Sequence, residues 1–139
     1  MFLGEYEHTL DAKGRLFIPA KFRDELGDSF IMTRGIDNCL VIYSAAEWQK
    51  YTDKINEIPA SQARRILRFV YANAQDCEPD THGRVVVSQS LREYASIEKD
   101  VVFTGAGSYI EVWSADAWAK ERENETSDEI AALMETLGC

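Results

Sequence analysis

A five-residue pattern, Asp-x-x-Gly-Arg, occurs twice, and the repetition constrains what this chain can fold into more than any other feature. Asp11 to Arg15 (DAKGR) returns sixty-nine positions later as Asp80 to Arg84 (DTHGR), each time followed by an apolar run, Leu16-Phe17-Ile18 and Val85-Val86-Val87. Phe22-Arg23 answers Leu91-Arg92 at the same offset. At an offset of seventy, Leu40, Ile42, Tyr43, Ser44-Ala45 and Trp48 answer Ile110, Val112, Trp113, Ser114-Ala115 and Trp118. One unit is written twice, with a one-residue length difference in a loop, and self-similarity at a fixed period outranks other readings of a sequence. Each half alone, near seventy residues, would be marginal, because short chains bury too little apolar surface. The halves are therefore expected to share a core or to share surfaces with other subunits.

Local signals give the element order. Asp11 to Gly14 and Asp80 to Gly83 read as turns, with glycine supplying positive φ and aspartate capping its own turn. Residues 2 to 10 and 15 to 18 read as strands, and Pro19 and Gly27 bracket a helix from Ala20 to Leu26. Ser29 to Thr33 and Cys39 to Tyr43 form a hairpin. Ser44 with Glu47 reads as a capping box opening a helix towards Ile55. A connecting helix spans Ser61 to Asn73. The programme then restarts with strands at 84 to 87, 101 to 104 and 109 to 113 and helices at 90 to 95 and 115 to 122. A last helix, Asp128 to Leu137, carries Ile130, Leu133, Met134 and Leu137 on one face. The order is ββαββα, a connecting helix, then ββαββα. Connections this short favour antiparallel pairing, and strands this brief make no stable isolated sheet, so strands of the two halves are expected to interleave.

Charge and cysteine usage exclude several classes. The formal net charge is −9, unfavourable for nucleic acid, yet it is unevenly placed. Residues 1 to 69 hold ten basic and ten acidic side chains, whereas residues 70 to 139 hold five and fourteen. The acidic excess concentrates after residue 120, leaving a charge-balanced first half compatible with a local basic face. No apolar run approaches the ~20 residues of a membrane span and no signal peptide opens the chain, so a cytosolic location is expected. Cys39, Cys77 and Cys139 are odd in number and lack CxxC spacing, and His8 and His82 form no zinc-ligand cluster with them. No P-loop, nucleotide fingerprint or triad spacing points to an enzyme, and no cofactor or small-molecule substrate is expected. A pairing of His8 with Cys39 or Cys77 has nothing in the sequence to position it. Arg64, Arg65 and Arg68 fit a phosphate patch, a solvated helix face or inter-subunit ion pairs. Trp48, Trp113 and Trp118 follow the patterning of core or interface anchors.

The motifs together resemble the MraZ family of transcriptional regulators, within the AbrB/SpoVT-like swapped-hairpin superfamily. The likeness rests on Met1-Phe2 through Gly4, His8 with Leu10-Asp11, DAKGRLFIP at Asp11 to Pro19, Phe22-Arg23, Cys39-Leu40 before Tyr43, and Glu47-Trp48. Further along it rests on Arg68-Phe69, DTHGR at Asp80 to Arg84, Leu91 to Ala95, and Ile110 to Trp113. It covers residues 1 to about 120. Ser88 stands where the family pattern has proline, and His82 where it has a polar residue. The resemblance implies an α+β fold with a mainly β core: tandem duplicated AbrB-like half-units forming an intertwined β-barrel with flanking helices. The expected division is 1–58 and 76–122 for the two repeats, 59–75 for the connecting helix, and 123–139 for an acidic C-terminal helix. It implies a homo-oligomeric ring, an octamer or larger, that binds direct repeats in the double-stranded promoter DNA of its own division and cell-wall gene cluster, most simply as a repressor in the nucleoid. Carried over position by position, it implies that Asp11, Lys13, Arg15, Asp80, His82 and Arg84 face DNA, with Lys21 and Arg23 as basic neighbours. Arg can pair bidentately with guanine O6 and N7, and Lys13 suits a phosphate. With neutral His82 in place of Lys13, the second repeat is expected to contribute less. The rival reading is a structural homo-oligomer whose Asp-to-Arg turns serve assembly.

Overall fold

A computed structural model describes all 139 residues. The first repeat contains β1 (Glu5–Thr9), β2 (Arg15–Phe17), α1 (Ala20–Leu26), β3 (Phe30–Arg34), β4 (Leu40–Ser44) and α2 (Ala45–Asn56), and α3 (Ala60–Tyr71) leads out of it. The second contains β5 (Gln75–Cys77), β6 (Arg84–Val86), α4 (Gln89–Tyr94), β7 (Asp100–Gly105), β8 (Ile110–Ser114) and α5 (Ala115–Glu123), followed by α6 (Ser127–Leu137). The fold is α+β with a mainly sheet core; β5 takes the strand position ahead of the second turn, a position without bounds in the sequence reading, and the remaining elements follow the expected order.

Strand exchange between the repeats dominates the topology. A six-stranded antiparallel sheet runs β1-β7-β8-β4-β3-β5, and β2 pairs with β6 in a separate two-stranded ribbon. Only β3–β4 and β7–β8 are hairpins within a repeat; β1–β7, β2–β6, β3–β5 and β4–β8 all join one repeat to the other. The registers reveal a local two-fold relation. In the central pair Leu40 faces Val112, Ile42 faces Ile110, and Val41 faces its own repeat equivalent, Glu111. In the ribbon Leu16 likewise faces its equivalent, Val85.

Because side chains alternate across a strand, Leu40, Ile42, Ile110 and Val112 all turn inward and are fully buried. They join Phe22, Phe30, Phe103, Leu16, Ile18, Val87 and Leu91 in one core shared by both repeats. Phe22 packs edge-on against Phe2 and Tyr6 at 5.7 and 5.0 Å between ring centroids. No helix is long and apolar enough to cross a membrane.

Local chemistry departs from the sequence reading in a few places. Ser44 caps α2 through the Glu47 backbone N–H, 3.3 Å away. The Glu47 carboxylate does not return to close the box; it takes Lys50 at 3.3 Å instead. On α2, Ile55 is buried, while Trp48 and Tyr51 are only half-buried. The connecting helix begins after Pro59, which needs no N–H there, and ends at Tyr71. Ser88, in the family's proline position, caps α4 by accepting from the Leu91 N–H at 3.3 Å, a role its counterpart Pro19 has no side chain to perform.

Candidate nucleic-acid interface

Each Asp-to-Arg turn is closed by the same set of bonds. In the first, the Asp11 N–H donates to the Arg15 carbonyl at 2.9 Å and Gly14 N–H donates to the Asp11 carbonyl at 3.0 Å. Asp11 Oδ1 accepts from the backbone N–H groups of Lys13 and Arg15 at 2.9 and 2.8 Å, and Oδ2 accepts from Arg15 Nε at 2.7 Å. In the second, Asp80 Oδ1 accepts from His82 and Arg84 N–H, both at 2.9 Å, and Oδ2 from Arg84 Nε at 3.0 Å. Gly14 and Gly83 hold φ of +76° and +79°, conformations that side chains make costly.

Those bonds also set the charge state. The Arg15 backbone N–H, joined by its guanidinium and the Lys13 N–H, holds the Asp11 carboxyl below its ordinary value. The Arg84 N–H does the same for Asp80, with His82 N–H and the Arg84 guanidinium adding to it. Both aspartates are therefore firmly ionised and spent on their own arginines. Each arginine gives only Nε to its aspartate, and its two terminal nitrogens have no partner in the protein.

The ribbon joins these two turns. Leu16 and Val85 point into the core at 0 and 4% exposure. By alternation Arg15 and Phe17 of β2 and Arg84 and Val86 of β6 share the opposite face, and Val86 is 60% exposed. The antiparallel pairing puts the turns at opposite ends of the ribbon. Lys13 and His82, at the turn tips, are exposed, as is Lys21 at the start of α1.

Arg23, expected as a basic neighbour of the first turn, is also engaged within the fold. Its Nε donates to the Ile18 carbonyl at 2.9 Å, and its guanidinium lies 4.9 Å from the Phe17 ring centroid. From there it reaches the opposite repeat, where a Cβ on Gly83 would come within 2.5 Å of the guanidinium carbon. Arg92, its repeat equivalent, mirrors this: Nε donates to the Val87 carbonyl at 3.1 Å and the guanidinium rests against Gly14. Two backbone bonds complete the tie, Ile18 N–H to the Gly83 carbonyl at 2.9 Å and Val87 N–H to the Gly14 carbonyl at 2.8 Å. The motif of each repeat is thus braced by the other. Arg92 and Val86 join this face without having been singled out as site residues. The Arg23–Arg92 correspondence was visible at the repeat offset, but their positions follow from strand exchange, which no local signal carries.

The remaining candidates have other surroundings. His8 sits against Phe17 and Phe103, 5.2 and 5.8 Å between ring centroids, and burial lowers its pKa. Cys39 and Cys77 are buried, and burial pushes their thiols up to about 12 and about 11, the wrong direction for a nucleophilic thiolate. No group of three or more His, Cys, Asp or Glu side chains is placed to hold a metal ion.

A family model described as "MraZ protein, putative antitoxin-like" matches the chain twice, over residues 1–69 and 70–137. The chain belongs to the MraZ family. Among its relatives is a protein of Caldicellulosiruptor bescii, 49% identical over 99% of both chains. Another, of Alkaliphilus metalliredigens, is 46% identical over 99% of both. A third, of Caldanaerobacter subterraneus, is 48% identical over 99% of this chain and 96% of its own. Each of the three is named "Transcriptional regulator MraZ". The two matches of the MraZ model meet inside α3, just before the strands of the second repeat begin.

Proposed function

We propose that this chain is a cytoplasmic, nucleoid-associated transcriptional regulator that binds double-stranded promoter DNA through the solvent face of the β2–β6 ribbon and its two turns. It acts without a cofactor, as a homo-oligomeric ring, on direct repeats ahead of its own division and cell-wall gene cluster, and represses them. The carrying observation is the pair of clamped arginines. Arg15 and Arg84 are fixed at Nε by ionised aspartates while their terminal nitrogens stay free. A guanidinium held this way is preorganised for two parallel hydrogen bonds to guanine O6 and N7, and the major groove admits a two-stranded β-ribbon.

Lys13 beside Arg15 adds a phosphate contact that His82 beside Arg84 lacks, so the first turn supplies most of the affinity. Val86 offers an apolar surface for a thymine methyl group. The sites of one acidic chain are weak, and a ring presenting many copies to tandem repeats raises their effective concentration. A second reading, in which the turns serve only to knit subunits or repeats together, is favoured by the mutual bracing of Arg23 with Gly83 and Arg92 with Gly14.

Fluorescence anisotropy with the chain's own upstream promoter fragment, against scrambled DNA at two salt concentrations, separates the readings. Arg15→Ala keeps the two backbone bonds to Asp11, so its turn survives. It is expected to weaken promoter binding about 5- to 150-fold, matching roughly 1–3 kcal/mol for a lost bidentate contact, with Arg84→Ala weaker in effect. Affinity should fall steeply with salt. Equal affinity for both DNAs, or an Arg15→Ala chain that loses its assembly, would favour the structural reading.

A further inference from the structure

Helix α6 is well built yet touches nothing that explains its composition. Thr126 Oγ1 accepts from the Glu129 N–H at 3.2 Å at its start, and Gly138 ends it in the left-handed conformation. Its apolar stripe is in water: Ile130, Leu133, Met134 and Leu137 are 42, 56, 49 and 69% exposed. Eleven residues are too few for an isolated helix to be stable in water, and four apolar side chains at i, i+3, i+4 and i+7 form a face meant for burial. Its acids Asp128, Glu129 and Glu135 take part in no ion pair.

The complementary surface is on α3 of the same sequence. This helix follows the first repeat as α6 follows the second. Arg64, Arg68 and Tyr71 fall at i, i+4 and i+7 along one side of it, all exposed. Tyr71 meets Trp48 edge-on at 5.8 Å between ring centroids, and Trp48 continues into Tyr51 and Tyr43, so an aromatic plate borders the two arginines. Neither arginine has a carboxylate partner. An aliphatic and thioether stripe beside unpaired acids thus answers an aromatic plate beside unpaired arginines, and Met sulfur against aromatic rings is itself favourable.

We propose that α6 of one copy docks on the Arg64–Arg68–Tyr71 side of α3, with Trp48, in a second copy of this chain. Donor and acceptor surfaces differ, so the contact is head-to-tail and builds a closed ring where the rotation between copies closes, an open filament where it does not. This deepens the assembly part of the proposed function and stands independently of its DNA part.

Sedimentation of the full chain at several concentrations tests it, with promoter anisotropy on the same samples. Because α6 and this side of α3 are exposed, the variants fold. The wild-type chain should be multimeric, and Leu133→Ser/Leu137→Ser and Arg64→Glu/Arg68→Glu should each raise the dissociation concentration at least tenfold. Adding Glu129→Arg to Arg64→Glu/Arg68→Glu should recover a large part of that loss. A single-chain wild type, or unchanged masses in both double variants, overturns the proposal. Failure of Glu129→Arg to recover any assembly overturns the pairing of these surfaces. Reduced DNA affinity at unchanged mass overturns it too, by making the α3 arginines phosphate contacts. Arg15→Ala is the reference: it should lower promoter affinity with mass unchanged. If the α3 and α6 variants behave as stated while wild-type chain ignores its promoter, assembly stands and DNA binding falls.

Discussion

Arg23 of the first repeat fills the space that a side chain on Gly83 of the second would need. A Cβ there would lie 2.5 Å from the guanidinium carbon, whereas one on Gly14 would meet Arg92 at 3.6 Å. Both glycines hold positive φ, which costs an alanine about 1–2 kcal/mol. Gly14→Ala should lose about that much. Gly83→Ala should lose more, since Arg23 must also leave the Ile18 carbonyl. Thermal unfolding should show the larger fall in Tm for Gly83→Ala, and equal falls would mean Arg23 relocates without cost.

Asp11 and Asp80 tie turn geometry to acid stability. Their folded pKa values lie below the unfolded ones, so their contribution is complete above the ordinary carboxylate range and lost as pH falls through the folded values. Asp11→Asn/Asp80→Asn should therefore be less stable than wild type at neutral pH, and the two curves should converge as pH falls below the ordinary carboxylate range. A gap that persists once both carboxyls are protonated would assign the loss to packing instead of charge.

His8 works on a higher pH window. Burial depresses its pKa, so the fold favours the neutral ring. Its contribution is whole above the ordinary histidine value and declines as pH drops through the folded value. His8→Phe, replacing one ring by another between Phe17 and Phe103, should flatten the stability profile below about pH 6.5. An NMR titration of His8 at or above the free-histidine value would contradict this.

The cysteines should separate by reactivity. Cys139 is exposed, while Cys39 and Cys77 are buried with raised thiol pKa values. A disulfide reagent should titrate one thiol quickly in the native chain and the other two only on unfolding. Fast modification of Cys39 would show that the β3–β4 loop opens readily.

Much of the architecture is local, and local signals report it. The turn glycines, the serines at 44 and 114 and the Ser29–Tyr43 hairpin each mark an element by their own chemistry, and the doubled order follows. Interleaving was predictable because strands of three to six residues need partners. Which strand pairs with which was not, since register between β2 and β6 depends on side chains nearly seventy positions apart. For the same reason Asp11–Arg15 was legible as a unit, whereas the reach of Arg23 to the other repeat was not. The amphipathic face of α6 was equally plain, and what the sequence could not convey is that nothing in its own chain covers that face.

The facing of Val41 and Glu111 across the central strands has an evolutionary side. Two identical chains related by a two-fold must place the same residue on both sides of the axis, so any change there is made twice. A chain that carries both halves is released from that rule. Glutamate opposite glutamate would repel, yet here a single Glu111 lies beside a valine and accepts from Cys39 Sγ at 3.7 Å. The same freedom lets one turn tip carry a lysine, Lys13, while its twin carries a histidine, His82. With both halves in one chain, the object can hold different chemistry at its two ends.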